Sequence, residues 1–194
     1  KEDKAAEAAA PVPAVVRATR RFCVGVAETV GRRPTMEGAH YIGGHFGGRA
    51  EQDFYAVFDG HNGRAAAAYS CSALPQALAR LLAAGAPPPE ALRQAFAATH
   101  AAIAAAGTRG GTTVSGVLFA GSTAYVAHVG DSRVALVRGG ALTAFTKDHR
   151  PTDPDEHAQV LARGGLIFRG RVSGMLAITR ALGDVILGDS ISHE

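Results

Sequence analysis

Residues 54–63 read F-Y-A-V-F-D-G-H-N-G, and the rest of the chain is organised around them. Five apolar residues in succession predict a strand buried on both faces, which Asp59, Gly60 and His61 interrupt. A carboxylate at the end of a buried strand is costly unless it is paired, hydrogen-bonded or bound to a metal. Gly60 lets the backbone pass close to a ligand and offers a bare carbonyl oxygen. His61 trades a proton near neutral pH. The plainer reading of D-G-H is a strand followed by an Asx turn, and the stretch alone leaves both open.

Three further stretches bear on the choice. Residues 123–129, T-A-Y-V-A-H-V, end in G-D-S-R at 130–133. Upstream, residues 31–38 read G-R-R-P-T-M-E-G, and downstream 171–184 read R-V-S-G-M-L-A-I-T-R-A-L-G-D. Arginine presents a planar fork that holds a phosphate through two parallel hydrogen bonds, so Arg32 and Arg33 are either phosphate ligands or solvated turn charges. Asp131 reads as a ligand or as a turn carboxylate capping backbone N–H groups.

In this order the four stretches resemble the type 2C family of metal-dependent Ser/Thr protein phosphatases, from about Phe22 to Asp184. The resemblance implies an α+β fold, an α-β-β-α sandwich of two antiparallel sheets flanked by helices. It implies a site using Mg²⁺ or Mn²⁺, with phosphoproteins as substrates. By the same resemblance Asp59 bridges two ions and the Gly60 carbonyl binds one. Glu37 ligates an ion or holds its water, and Asp131 reaches an additional, loosely held ion. Arg33, four residues before Glu37, clamps the substrate phosphate, and His61 protonates the leaving alkoxide. The Asp184 counterpart is structural.

The match departs from the family pattern. The family follows its Glu with Asp, where this chain has Gly38. Its two later metal-ligating aspartates, in a D-G-x-W-D element and a D-N pair, find no counterpart; the chain has no Trp. Carboxylates must offset the repulsion between paired dications. The expectation is therefore a C-terminally truncated type 2C scaffold with one weak Mg²⁺ or Mn²⁺ site and weak or absent activity. The alternatives are a fragment or splice form of an active phosphatase, and a pseudophosphatase that binds phosphoproteins or kinases. A sheet edge left uncovered implies possible self-association.

Composition sets wider bounds. The 194 residues, 47% hydrophobic and 19% charged, suit one globular domain. A net charge of +3 without a basic block argues against nucleic acid. No apolar run is long enough to span a bilayer and no signal-peptide core follows the first residues, so the expected location is cytoplasmic or nuclear, without a membrane partner. Cys23 and Cys71 lack metal-type spacing and read as buried free thiols.

In chain order, residues 1–20 are read as a flexible alanine- and proline-rich lead-in and 21–194 as a single incomplete domain. Phe22, Val24 and Val26 alternate as a strand. His40 and His45 sit in a glycine-rich loop. Gly63 to Leu82 is an alanine-dense helix that Pro75 kinks or divides. A second helix starts near Glu90, with Leu92, Phe96, Thr99 and Ile103 on one stripe and His100 on its surface. From Thr112 a meander of short strands follows. Asp153, Pro154 and Glu156 predict a capped helix start with a capping box, and His149 and Arg150 read as surface residues.

Overall fold

The computed structural model describes residues 15–19, 21–144 and 146–193, so most of the predicted lead-in lies outside the described residues. The chain forms two compact units, Lys1–Met36 and Glu37–Glu194. In the first, β1 (Val15–Ala18) pairs antiparallel with β2 (Cys23–Val26), Val15 opposite Val26. Thr19 closes the turn: its hydroxyl bonds the Phe22 carbonyl, and the Phe22 N–H bonds Thr19 Oγ1, both at 3.0 Å.

In the second unit the order is β3 (Ala39–Gly44), β4 (Gln52–Phe58), β5 (Gly60–His61), α1 (Ala65–Ala83) and α2 (Pro88–Ala105). Then come β6 (Gly111–Thr112), β7 (Val114–Ala120), β8 (Thr123–Val129), β9 (Ala135–Arg138) and β10 (Ala141–Ala144). After α3 (Pro154–Ala162), the short strands β11 (Ile167–Phe168), β12 (Arg171–Val172) and β13 (Leu182–Gly183) follow. Four strands make the main sheet in the order β3-β4-β7-β8, every neighbour antiparallel. The mixture of antiparallel sheets and helices is the α+β architecture the sequence implied. Among the described residues no helix is long and apolar enough to cross a membrane.

Burial follows period. In β4, Phe54, Ala56 and Phe58 are buried while Val57 is 53% exposed. The Phe54, Ala56 and Phe58 face is buried throughout in a core shared with Leu74, Leu78, Phe96, Ile103 and Leu118, while the opposite face passes from fully buried Asp53 through half-buried Tyr55 to exposed Val57. The predicted stripe on α2 is buried at all four positions. This helix begins at Pro88 rather than Glu90, since prolines are tolerated where first-turn N–H groups lack partners anyway.

Several readings are corrected. Pro75 does not divide α1, which runs through it for 19 residues with Leu74, Pro75 and Leu78 all buried. Packing of this face outweighs the one hydrogen bond a proline forfeits. The meander does not continue past β8. Instead β9 and β10 form their own two-stranded sheet, turned by Gly139 (φ 58°) and Gly140 (φ 80°), the left-handed pair a two-residue hairpin needs. Asp153 caps α3 through the Asp155 and Glu156 N–H groups. The Glu156 side chain forms no capping box; it is buried and bonds Thr179 and Arg180. The stretch 176–184 supplies only the two-residue β13. Both cysteines are free, but Cys23 is exposed and Cys71 half-buried.

Candidate metal and phosphate site

The D-G-H residues sit where β4 ends and β5 begins. The Thr113 N–H bonds the Asp59 carbonyl at 3.0 Å, and the Asp59 N–H bonds the Thr113 hydroxyl at 3.3 Å. This pins the backbone and leaves the Asp59 side chain exposed to solvent. The strand end is therefore not a buried carboxylate site, and solvation removes the cost expected there. A Cβ on Gly60 would lie 2.4 Å from the Glu37 carbonyl oxygen, so this close approach admits only glycine. Glu37 Oε1 in turn accepts from the Gly63 N–H at 3.2 Å. Asp59, Gly60 and Glu37 are thus brought together around one backbone turn.

His61 has a partner that the linear sequence did not reveal. Its Nε2 lies 2.6 Å from Asp184 Oδ2, with the Asp184 side chain only 4% exposed. Gly111 packs against this pair so tightly that a Cβ there would lie 2.2 Å from Asp184 Oδ2. With Nε2 donating to the carboxylate, Nδ1 is the nitrogen left for other proton exchange. Asp184 is a structural residue in this sense, but the structure it fixes is the His61 ring. The signal was the acid closing the A-L-G-D stretch; a separation of 123 residues hid its partner.

The G-D-S-R loop is joined to the same strand end through hydroxyls. Thr113 Oγ1 lies 2.6 Å from Ser132 Oγ, and Ser115 donates to the Ser132 carbonyl at 2.6 Å. Asp131 itself is held by Arg150, whose Nη2 lies 2.7 Å from Asp131 Oδ2. Arg133 pairs with Asp148 through two bonds of 2.5 and 3.0 Å. Among the described residues no group of three or more His, Cys, Asp or Glu side chains is placed to hold a metal ion. Arg33 lies in the other compact unit, exposed, with its N–H on the Val30 carbonyl at 3.1 Å.

Two histidines read as surface residues are built into the fold. His100 is half-buried, accepts from the Gly183 N–H at 3.3 Å and stacks on His193. His149 is half-buried too: its Nδ1 accepts from the Gly130 N–H at 3.1 Å, and its ring stacks on His128 at 4.3 Å. Burial, then Arg180 and the His128 ring, bring the His149 pKa down to about 4. Above its ordinary value of 6.5 both folded and unfolded chains hold a neutral ring, and the group has no effect on stability. As pH falls from there to about 4, only the unfolded chain takes up the proton, so stability declines and then levels. Solvent screening of the partly exposed ring limits the loss to about 2 kcal/mol. Urea midpoints between pH 7 and pH 4 should fall less steeply in His149→Gln than in the wild type; parallel curves would contradict this placement.

The family model for protein phosphatase 2C matches residues 22–194. The chain is 38% identical over 178 residues to the probable protein phosphatase 1N of Mus musculus, covering 86% of this chain and 43% of that protein. It is 38% identical over 148 residues to the human protein phosphatase 1F, covering 73% of this chain and 33% of the relative. It thus spans less than half the length of these curated relatives. Among solved structures, a C. elegans sex determining protein matches with a TM-score of 0.75 at 26% identity, over 84% of this chain and 44% of that one. A serine-threonine phosphatase 2C from Toxoplasma gondii gives 0.75 at 18% identity over 95% of this chain and 75% of that one, a likeness of fold. With the D-G-H strand end, the G-D-S-R loop and the match from residue 22 to 194 in agreement, the chain belongs to the protein phosphatase 2C family.

Proposed function

We propose that the chain carries an atypical type 2C site for phosphoserine and phosphothreonine in proteins, whose Mg²⁺- or Mn²⁺-dependent turnover is weak or absent. One observation carries this reading. Asp131 is neutralised by Arg150 at 2.7 Å, while Asp59 stands exposed at the end of β4. The donors at Asp59, Gly60 and Glu37 are all oxygen, as a hard dication requires, but they suit one ion that keeps most of its water. That ion, when bound, supplies positive charge to polarise a phosphate ester.

The chain's own residues do the rest. Asp184 fixes the His61 ring through Nε2, and Nδ1 delivers a proton to a departing serine or threonine oxygen. Arg33, in the first unit, carries the forked N–H groups that suit phosphate oxygens. Gly38, next to Glu37, contributes no carboxylate.

Calorimetry should register about one Mn²⁺ site of roughly millimolar affinity, lost in Asp59→Asn. Aryl phosphate hydrolysis with Mn²⁺ should stay near background, and Gly38→Asp should raise metal affinity more than rate. Robust hydrolysis abolished by both His61→Ala and Asp59→Asn would refute weak catalysis.

The Arg150–Asp131 pair also favours a second reading, a pseudophosphatase that binds phosphoproteins or kinases without turning them over. Phosphopeptide binding that persists in chelator and in Asp59→Asn, and weakens in Arg33→Ala, supports this reading. Self-association belongs to the same proposal, since β3 and β8 flank the main sheet. Sedimentation at rising concentration tests it.

A further inference from the structure

The β11–β12 hairpin shows an outer face that the site chemistry does not use. Its inner face is ordinary: Val172 is fully buried, and Ile167, its cross-strand partner, packs with it against Val160 and Leu176. The alternation of the strands therefore sends Phe168 and Arg171, the next cross-strand pair, outward together. Phe168 is 61% exposed, Met175 59% and Leu166 72%. Segments 166–168 and 173–175 run side by side: a Cβ on Gly174 would meet Phe168 Cδ1 at 3.5 Å, and the Ser173 N–H bonds the Leu166 carbonyl at 2.7 Å. Clustered large apolar side chains at such exposure mark an interaction surface rather than scattered surface residues.

The charge along this stretch of chain has one sign. Between His157 and Gly183 the sequence holds four arginines and no Asp or Glu. Arg180 is committed to Glu156, while Arg169 and Arg171 stand on the hairpin itself. Arg169 lies over the Phe168 ring at 5.2 Å, and Arg171 donates only to the Met175 carbonyl at 2.8 Å, a neutral acceptor. A guanidinium that meets no anionic partner has its best geometric match in a carboxylate. The tip adds to this. Arg169 (φ 51°) and Gly170 (φ 71°) form a left-handed two-residue turn, where Asn or Gly relaxes the first position and arginine does not.

We infer that the outer face of the β11–β12 hairpin docks an acidic peptide segment of a protein partner, with bulky apolar side chains seated on Leu166, Phe168 and Met175 and carboxylates on Arg169 and Arg171. The partner is defined by charge complementarity, and the inference stands apart from phosphoryl chemistry, since the segment carries no phosphate. A peptide laid on such a surface gains specificity from the pairing of apolar anchors with flanking charges.

The test titrates the full chain into a labelled peptide of about 16 residues, rich in Glu and Asp with Leu and Phe at every third or fourth position, and follows fluorescence anisotropy. Saturable binding is expected, weakened about tenfold by Phe168→Ser with Met175→Ser and about tenfold by Arg169→Glu with Arg171→Glu. A peptide with Lys in place of the acids should not bind, and one with Ser in place of Leu and Phe should bind at least about fivefold more weakly. All four replaced side chains are exposed, so melting curves should superimpose on the wild type. Amide shifts confined to residues 163–175 on adding peptide give a readout that needs no variant. Absence of saturation, or binding indifferent to both double variants, overturns the proposal. So does selective loss, in those variants, of binding to phosphatidylserine vesicles or of self-association while the peptide still binds.

Discussion

Glu156→Ala is expected to destabilise the second unit by roughly 3–5 kcal/mol. Glu156 is 5% exposed on α3 and receives the Thr179 hydroxyl at 2.5 Å and Arg180 at 2.5 and 3.0 Å. Alanine would leave a buried hydroxyl and a largely buried guanidinium facing the space the carboxylate held. Burial pushes this carboxyl up, but hydrogen bonds from Arg180 and Thr179 outweigh it and hold the group below its ordinary 4.5. Its contribution is therefore present above pH 4.5 and is lost as pH falls through the lower folded value. Urea unfolding followed by circular dichroism measures the loss. A change under about 1 kcal/mol would show that the pair does no more than an exposed one.

Gly60→Ala should have an effect of similar size, about 3 kcal/mol, by a different route. The new Cβ would stand 2.4 Å from the Glu37 carbonyl oxygen and 3.0 Å from Ala67 Cβ. Neither neighbour is the tip of a flexible side chain, so the turn or the Glu37 segment must move. Because Asp59 and His61 flank this position, Mn²⁺ retention should fall with stability. Gly25→Ala, where the new atom meets nothing within 4 Å, is the control. Equal melting temperatures for the two variants would mean that the close approach at Gly60 is not real.

What was legible in the sequence was local. The stripe Leu92, Phe96, Thr99 and Ile103 repeats at helical spacing because a helix with one buried face demands it, and all four are buried. Short motifs announced which segments would lie together: D-G-H and G-D-S-R do meet, through Thr113 and Ser132. The partners of those motifs were not legible. Asp184 reaches His61 across 123 residues, and Arg150 reaches Asp131 from a separate loop. No periodicity records such pairs, since each residue alone reads as a surface or turn charge. Pro75 failed for the opposite reason: local propensity was read correctly, and tertiary packing overrode it.

The strand order of the main sheet has a consequence for how the chain acquires its structure in time. β7 and β8 adjoin in sequence, as do α1 and α2, so these pairs close small loops and form quickly. The β4–β7 pairing, from Gln52 opposite Ala120 to Val57 opposite Ser115, must close a loop containing both helices. Loop-closure entropy there is met before any contact rewards it, which makes this seam the slow step of refolding. On a ribosome, a nascent chain that has emerged as far as α2 carries β4 with an open edge until β7 follows. That interval is when the chain is most vulnerable to pairing with another, and when a chaperone has most to shield.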